Sequence, residues 1–293
     1  MRIGVFTKNR TNPAYAAARL GAARTAERLG AETLDFVPEA PDDPAEQSRL
    51  IDEALARRLD AIVIAPVHPT RVDDALMRVE AAGIPLCAFV NPVSAAKCVT
   101  FAGSDDYALG AAVANRLYRH LDGRGAVLLV SGPEDSASSA PRLRGFRDAA
   151  RAFPGVHLLG PCMAFFDRTR ARSEVARWIE REAPFDAILA GNDAMALGAL
   201  DALKDAGRGV PAAGVNAIPE AIKAIQDGRM LATADFDAMS LAALATECAI
   251  RHLRGERVPG KVELPVQVVD RANCDRWDLP FEQRAMRTLE EVT

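Results

Sequence analysis

The chain has 293 residues, 49% of them hydrophobic and 26% charged, with a formal net charge of -4. That composition fits a globular protein longer than one core usually needs, so two lobes of ordinary domain size are expected. A mildly acidic chain with no stripe of Lys and Arg argues against a nucleic-acid partner, and no run approaches the roughly 18 apolar residues of a membrane span. Met1 leads directly into a strand and leaves no signal peptide, so the chain reads as cytoplasmic or as a mature form whose leader has been removed. Cys87, Cys98, Cys162, Cys248 and Cys274 are scattered, odd in number and free of any CxxC, which reads as buried thiols; Cys87–Cys98 is the one bridge worth entertaining. His68, His120, His157 and His252 form no zinc motif, and no metal or cofactor is expected.

Short apolar runs alternate with longer amphipathic ones from the start. A strand at 3–6 passes through 7–11 into a helix at 13–29, stopped by Gly30. Asn12 is placed to cap that helix and Pro13 sits at its first position, where the missing N–H costs nothing. Taken alone this is an ordinary capped helix. It nevertheless carries Lys8, Asn12 and Tyr15 where ligands collect outside the carboxyl ends of an open parallel sheet. A strand at 31–37, a Pro- and Asp-rich connector at 38–44 and a helix at 46–59 follow. Next come a buried-type strand at 60–66, a helix at 71–82 and a strand at 84–89. Continuous apolar strands between helices predict a parallel sheet covered on both faces.

The pattern then restarts: a short strand at 100–102, helix 107–121, strand 126–131, helix 142–152, strand 156–159 and helix 168–182. Strand 187–190, helix 194–205, strand 212–215, helix 219–227 and strand 232–234 complete the second set. Helix 241–253 and a strand at 266–269 arrive late, as pieces returning to the earlier lobes, so the lobes are interleaved along the chain. The segment 271–293 is a polar tail packed on one lobe.

No GxSxG, HExxH or GxxxxGK[ST] occurs, and 7–11 holds none of the glycines of a dinucleotide-binding turn. Polar, non-nucleophilic residues recur just after strands instead: Asn12, Asn91, Arg142, Asn192 and Asn216. Ser131-Gly132-Pro133 and Ala190-Gly191-Asn192-Asp193 end their strands in small residues that would leave room for a ligand. Amides, a guanidinium fork and aromatic faces suit a polyhydroxylated molecule, whose hydroxyls each donate and accept. Asp193 and Cys162 are the only residues suggestive of catalysis, and neither has a visible partner, so binding rather than enzymatic turnover is expected.

The segments Asn12-Pro13-Ala14-Tyr15, Gly83-Ile84-Pro85, Gly103-Ser104-Asp105-Asp106, Arg142-Leu143-Arg144-Gly145-Phe146, Phe166-Asp167-Arg168 and Gly191-Asn192-Asp193-Ala194-Met195-Ala196-Leu197-Gly198 occur in this order. Together they resemble the type I periplasmic sugar-binding proteins of the ribose-binding family, related to the ligand domains of lac-repressor-like regulators. The resemblance implies an α/β fold of two Rossmann-like lobes, parallel sheets flanked by helices, joined by a three-segment hinge near Gly103, Phe236 and Glu263 and closing on a sugar between them. The lobes would be 1–103 with 236–263, and 104–235 with 264–293. Carried over by position, Asn12 and Tyr15 meet the ligand from the first lobe with Lys8 or Thr7 nearby, Arg142 donates to its oxygens, Phe166 stacks on it and Asn192 hydrogen-bonds to it. The implied role is the solute-binding component of an ABC sugar importer: a periplasmic monomer whose partners are a small sugar or polyol and a membrane permease.

Three positions depart from the family pattern. Val90-Asn91 replaces an Asp-Arg pair, Asn216 in Gly214-Val215-Asn216 replaces the Asp of a Gly-Phe-Asp turn, and Phe236, flanked by Asp235 and Asp237, replaces a cleft Gln. With two acidic acceptors gone, Arg142 is left seeking a counter-ion. The ligand expected is a neutral pentose, hexose or polyol, with Asp235 or Asp237 supplying the missing charge; a sugar acid of the aldonate type is the alternative. The effector-binding core of a lac-repressor-like regulator would need a DNA-binding headpiece of about 60 residues, and none precedes Ile3.

Overall fold

The computed structural model describes residues 1–181 and 184–292. In chain order the elements are β1 (Arg2–Phe6), α1 (Pro13–Arg28), β2 (Glu32–Phe36), α2 (Pro44–Ala56), β3 (Ala61–Ile64), α3 (Asp73–Ala81), β4 (Leu86–Phe89) and β5 (Thr100–Ser104). They continue with α4 (Asp106–His120), β6 (Arg124–Ser131), α5 (Ser139–Ala150), β7 (Gly155–Met163), α6 (Arg168–Glu180), β8 (Ala187–Ala190), α7 (Asp193–Asp205), β9 (Ala212–Val215), α8 (Pro219–Gln226) and β10 (Ala232–Asp235). Last come α9 (Ala238–Leu253), β11 (Lys261–Leu264), β12 (Gln267–Asp270), short 3-10 turns at Cys274–Trp277 and Phe281–Gln283, and α10 (Leu289–Val292). Glu182, the expected end of the sixth helix, and Thr293 lie outside the described residues.

The fold is α/β, with two sheets of mostly parallel strands flanked by helices. One unit comprises Met1–Ser104, Asp237–Leu264 and the segment from Phe281; the other comprises Asp105–Phe236 and Pro265–Pro280. Among the described residues the first unit's sheet runs β11-β5-β4-β3-β1-β2, every neighbour parallel. The second unit's sheet runs β12-β10-β9-β8-β6-β7, parallel except for β12, which pairs antiparallel with β10. Wholly apolar, fully buried strands such as β3, β8 and β9 are what a sheet covered on both faces requires.

Glycines let several helices approach backbone to backbone. A Cβ on Gly21 of α1 would collide with the Met239 carbonyl of α9, and one on Gly198 of α7 with the Arg168 carbonyl of α6. Gly110 of α4 and Gly145 of α5 fit against each other's helices in the same way, Gly110 against the Arg142 carbonyl and Gly145 against that of Tyr107. The first turn of α5, which carries Arg142, is thereby fixed against α4. The first unit's core gathers Phe6 and Phe36, stacked at 4.6 Å, with Ile51, Ile62, Ile64, Leu76 and Leu86.

The end of the chain departs from expectation. From Phe281 onward it packs with the first unit, not the second. Arg24 Nη1 donates to the carbonyls of Glu282 and Arg284, the Arg287 amide donates to Ser240 Oγ at 3.1 Å, and Leu289 is buried. Phe236, expected in the first lobe, groups with the second unit, beneath the Arg142 guanidinium.

Candidate functional site

In the first unit the expected polar residues stand at the carboxyl ends of β1 and β4. Thr7, Lys8 and Asn9 are buried in spite of their polarity. Asn9, which sequence reasoning missed, organises this turn. Its Oδ1 accepts from the Asn12 amide at 2.9 Å and its Nδ2 donates to Asp42 Oδ1 at 2.9 Å. An Asn three residues ahead of a helix cap was the available signal. Asn12 caps α1 by accepting from the Ala14 amide at 3.0 Å, and Tyr15, in the first turn, is buried. Asn91 follows Val90, a β-branched residue held at φ 63°, where it is strained. Asn91 Nδ2 donates to the Pro66 carbonyl at 3.0 Å, tying the loop after β4 to that after β3.

In the second unit the centre is Arg142, only 4% exposed. Its Nε donates to Asp106 Oδ1 at 2.7 Å and its Nη1 to the Gly191 carbonyl at 2.9 Å, while the guanidinium lies 5.6 Å from the centroid of the Phe236 ring. The expected shortage of a counter-ion is therefore corrected: Asp106, at the start of α4, neutralises Arg142 directly. Asp105 alone caps α4, accepting from the Tyr107 and Ala108 amides, which leaves the next carboxylate for the arginine. The argument for a sugar acid loses its premise.

Asn192 caps α7, its Oδ1 accepting from the Met195 amide at 2.8 Å, and its Nδ2 donates to the Phe166 carbonyl at 3.3 Å. Phe165 and Phe166 both occupy the left-handed region, at φ 54° and 61°, in the turn after β7. The Phe166 ring lies on Gly132 so closely that a Cβ there would strike it, so the room expected at Gly132 is filled by that ring. Phe165 is 49% exposed, with the Arg170 guanidinium 5.0 Å from its ring centroid. Asn216 follows β9 at φ 129° and is buried, its Oδ1 without a hydrogen-bond partner. Asp235, at the end of β10, accepts from Trp277 Nε1 at 2.7 Å, and Asp237 caps α9 by accepting from the Ser240 amide at 3.0 Å.

Asp193 is fully buried. It accepts from Thr233 Oγ1 at 2.6 Å and from the Ile218 amide at 3.1 Å. Burial pushes its carboxyl up to about 7, against the pull of those two hydrogen bonds. Burial likewise pushes the Cys162 thiol up to about 12, which holds it neutral. All five cysteines are free thiols. Among the described residues no group of three or more His, Cys, Asp or Glu could hold a metal ion, and no helix is long and apolar enough to cross a membrane.

A family model for the periplasmic binding protein domain matches residues 3–257. A xylitol-binding protein of Mycolicibacterium smegmatis is 29% identical over 248 residues, covering 83% of this chain and 69% of its own. The solved structure of an ABC transporter solute-binding protein from Mycobacterium smegmatis with bound glycerol is similar at a TM-score of 0.86 and 29% identity, covering 94% of this chain and 96% of its own. An ABC transporter periplasmic solute-binding protein from Actinobacillus succinogenes with bound D-allose reaches a TM-score of 0.89 at 24% identity, covering 94% and 99%; that likeness shows the fold.

Proposed function

The chain belongs to the periplasmic binding protein domain family, and from that premise we propose that it is the solute-binding component of an ABC sugar importer, taking a neutral monosaccharide or polyol. Lys8, Asn12, Tyr15 and Asn91 from the first unit and Arg142, Phe166, Asn192, Asn216, Asp235 and Phe236 from the second are the ligand-binding residues of this reading. The observation that carries it is the pairing of Arg142 with Asp106, which leaves the second unit's rim electrically satisfied and suited to hydroxyls. Relatives named for xylitol, or solved with glycerol or D-allose, support the same ligand class. The protein works as a periplasmic monomer that delivers its ligand to a membrane permease, performs no chemistry on it and has no nucleic-acid partner. The use of Asp193 within its own fold and the neutral Cys162 thiol support that reading.

Thermal-shift screening against neutral sugars, polyols and sugar acids tests the proposal. Stabilisation by a neutral member is expected, and stabilisation by sugar acids alone overturns it. With that ligand, Arg142→Ala and Asn192→Ala each weaken binding by about 1–3 kcal/mol, because buried partners lose their hydrogen bonds. Unchanged affinity in both removes the site.

A further inference from the structure

The turn carrying Asn216 is held in an unfavourable backbone conformation by two side chains that are themselves inaccessible. Asn216 at φ 129° and Ala217 at φ 51° are consecutive non-glycine residues in the left-handed region, a state that persists only when the surroundings over-determine it. Here the surroundings are a three-bond relay. The Ala217 amide donates to Thr233 Oγ1 at 3.2 Å, that hydroxyl donates to Asp193 Oδ1 at 2.6 Å, and the Ile218 amide donates to Asp193 Oδ2 at 3.1 Å. A hydroxyl has one proton and two lone pairs, so Thr233 can accept from Ala217 while donating to the Asp193 carboxylate. Thr233 and Asp193 are both 0% exposed and cannot touch a ligand. At the head of the turn Asn216 Oδ1 is buried without a donor, a vacancy that natural proteins tolerate where a further partner repays it.

We propose that Asp193 and Thr233 are positioning residues, which hold the turn from Asn216 to Ile218 in its strained form so that the Asn216 carboxamide is set to engage a ligand hydroxyl. This rests on the reading of the chain as a sugar or polyol binder, and it names the group the turn would meet: a ligand hydroxyl, which can donate to the orphan oxygen. Ionised, the Asp193 carboxylate accepts both hydrogen bonds; protonated, it donates to the second lone pair of Thr233 Oγ1 and still accepts from the Ile218 amide, so the relay holds in either state.

The test uses the neutral sugar or polyol that stabilises the wild-type protein, titrated calorimetrically into Thr233→Val, Thr233→Ser, Asp193→Ala and Asp193→Asn. Asp193→Ala removes both acceptors and Thr233→Val removes the relay's central oxygen, and each is expected to weaken binding about tenfold. Thr233→Ser and Asp193→Asn retain near wild-type affinity, the latter because its carboxamide can donate to Thr233 Oγ1 and accept from the Ile218 amide. Wild-type affinity in both Thr233→Val and Asp193→Ala overturns the inference while leaving the proposed function intact, and so does a Thr233→Ser defect equal to that of Thr233→Val. A wild-type protein that binds no sugar or polyol overturns the proposed function, and this inference with it. Should Thr233→Val and Asp193→Ala fail to fold, amide exchange in the wild type decides: slow exchange at Ala217 and Ile218 is expected, and exchange as fast as that of an exposed loop overturns the relay.

Discussion

The two sheets finish their carboxyl ends by different means. In the first unit the loops are tied largely by neutral amides to nearby backbone: Asn9 to the Asn12 amide, Asn91 to the Pro66 carbonyl, and Gln47 to the Ala65 carbonyl and the Val67 amide at 3.1 and 2.9 Å. In the second unit the corresponding work is done by buried charge, Arg142 against Asp106 and Asp193 against Thr233 and Ile218. Neutral ties are local, and each is replaceable at the cost of one ordinary hydrogen bond. A buried ion is tolerable only while its partner is present. The second unit's rim is therefore where one substitution should damage both stability and recognition, and the first unit's rim is where the same kind of change should be absorbed.

The largest expected effect is Asp106→Ala, which strands a buried guanidinium and should lower unfolding free energy by about 3–5 kcal/mol in urea titrations; a loss under about 1 kcal/mol, the level of a neutral tie, would erase the distinction. Next is pH. The Asp193 carboxyl is raised from 3.8 to about 7 in the folded chain, so between those values the folded state holds the proton that the unfolded state has released. Stability of the unliganded protein should be highest below that window and fall as pH rises through it, by a few kcal/mol, and the slope should be lost in Asp193→Asn. Smallest is Asn91→Ala, expected to remove about 1 kcal/mol by releasing the Pro66 carbonyl; a loss as large as that of Asp106→Ala would show that the neutral rim is no more forgiving than the charged one.

Interior strands are legible in the sequence because burial on both faces leaves an unbroken apolar run, as in Ala61-Ile62-Val63-Ile64. Edge strands are read unevenly: β2 and β12 are legible, β11 and the end of β7 are not. β11, Lys261-Val262-Glu263-Leu264, alternates exposed and buried residues and reads as no more than a hinge segment. β7 continues through Pro161 to Met163, beyond the expected strand at 156–159; it is an edge strand, where a missing N–H can face away from the ladder. α5 and α9 each begin three residues before their reading, at Ser139 and Ala238, since periodicity marks the apolar stripe and not the first turn. Asn12 is legible as a cap because capping is a local spacing rule. Asp106 is not legible as the partner of Arg142, because 36 residues separate them and no local pattern encodes a contact between two helix starts.

The interleaving of the two units bears on how the chain is made. β12 joins β10, and β11 joins β5, only after the polypeptide has returned from elsewhere. A ribosome that has released everything through Phe236 has therefore produced nearly all of both sheets, yet neither has its final margin. The backbone groups of Thr100–Ser104 and Ala232–Asp235 that those late strands will engage stay open until then. Open margins of this sort invite other extended chains. Stalled or prematurely terminated products of this gene should thus be sticky in proportion to how close they come to completion without reaching Asp270.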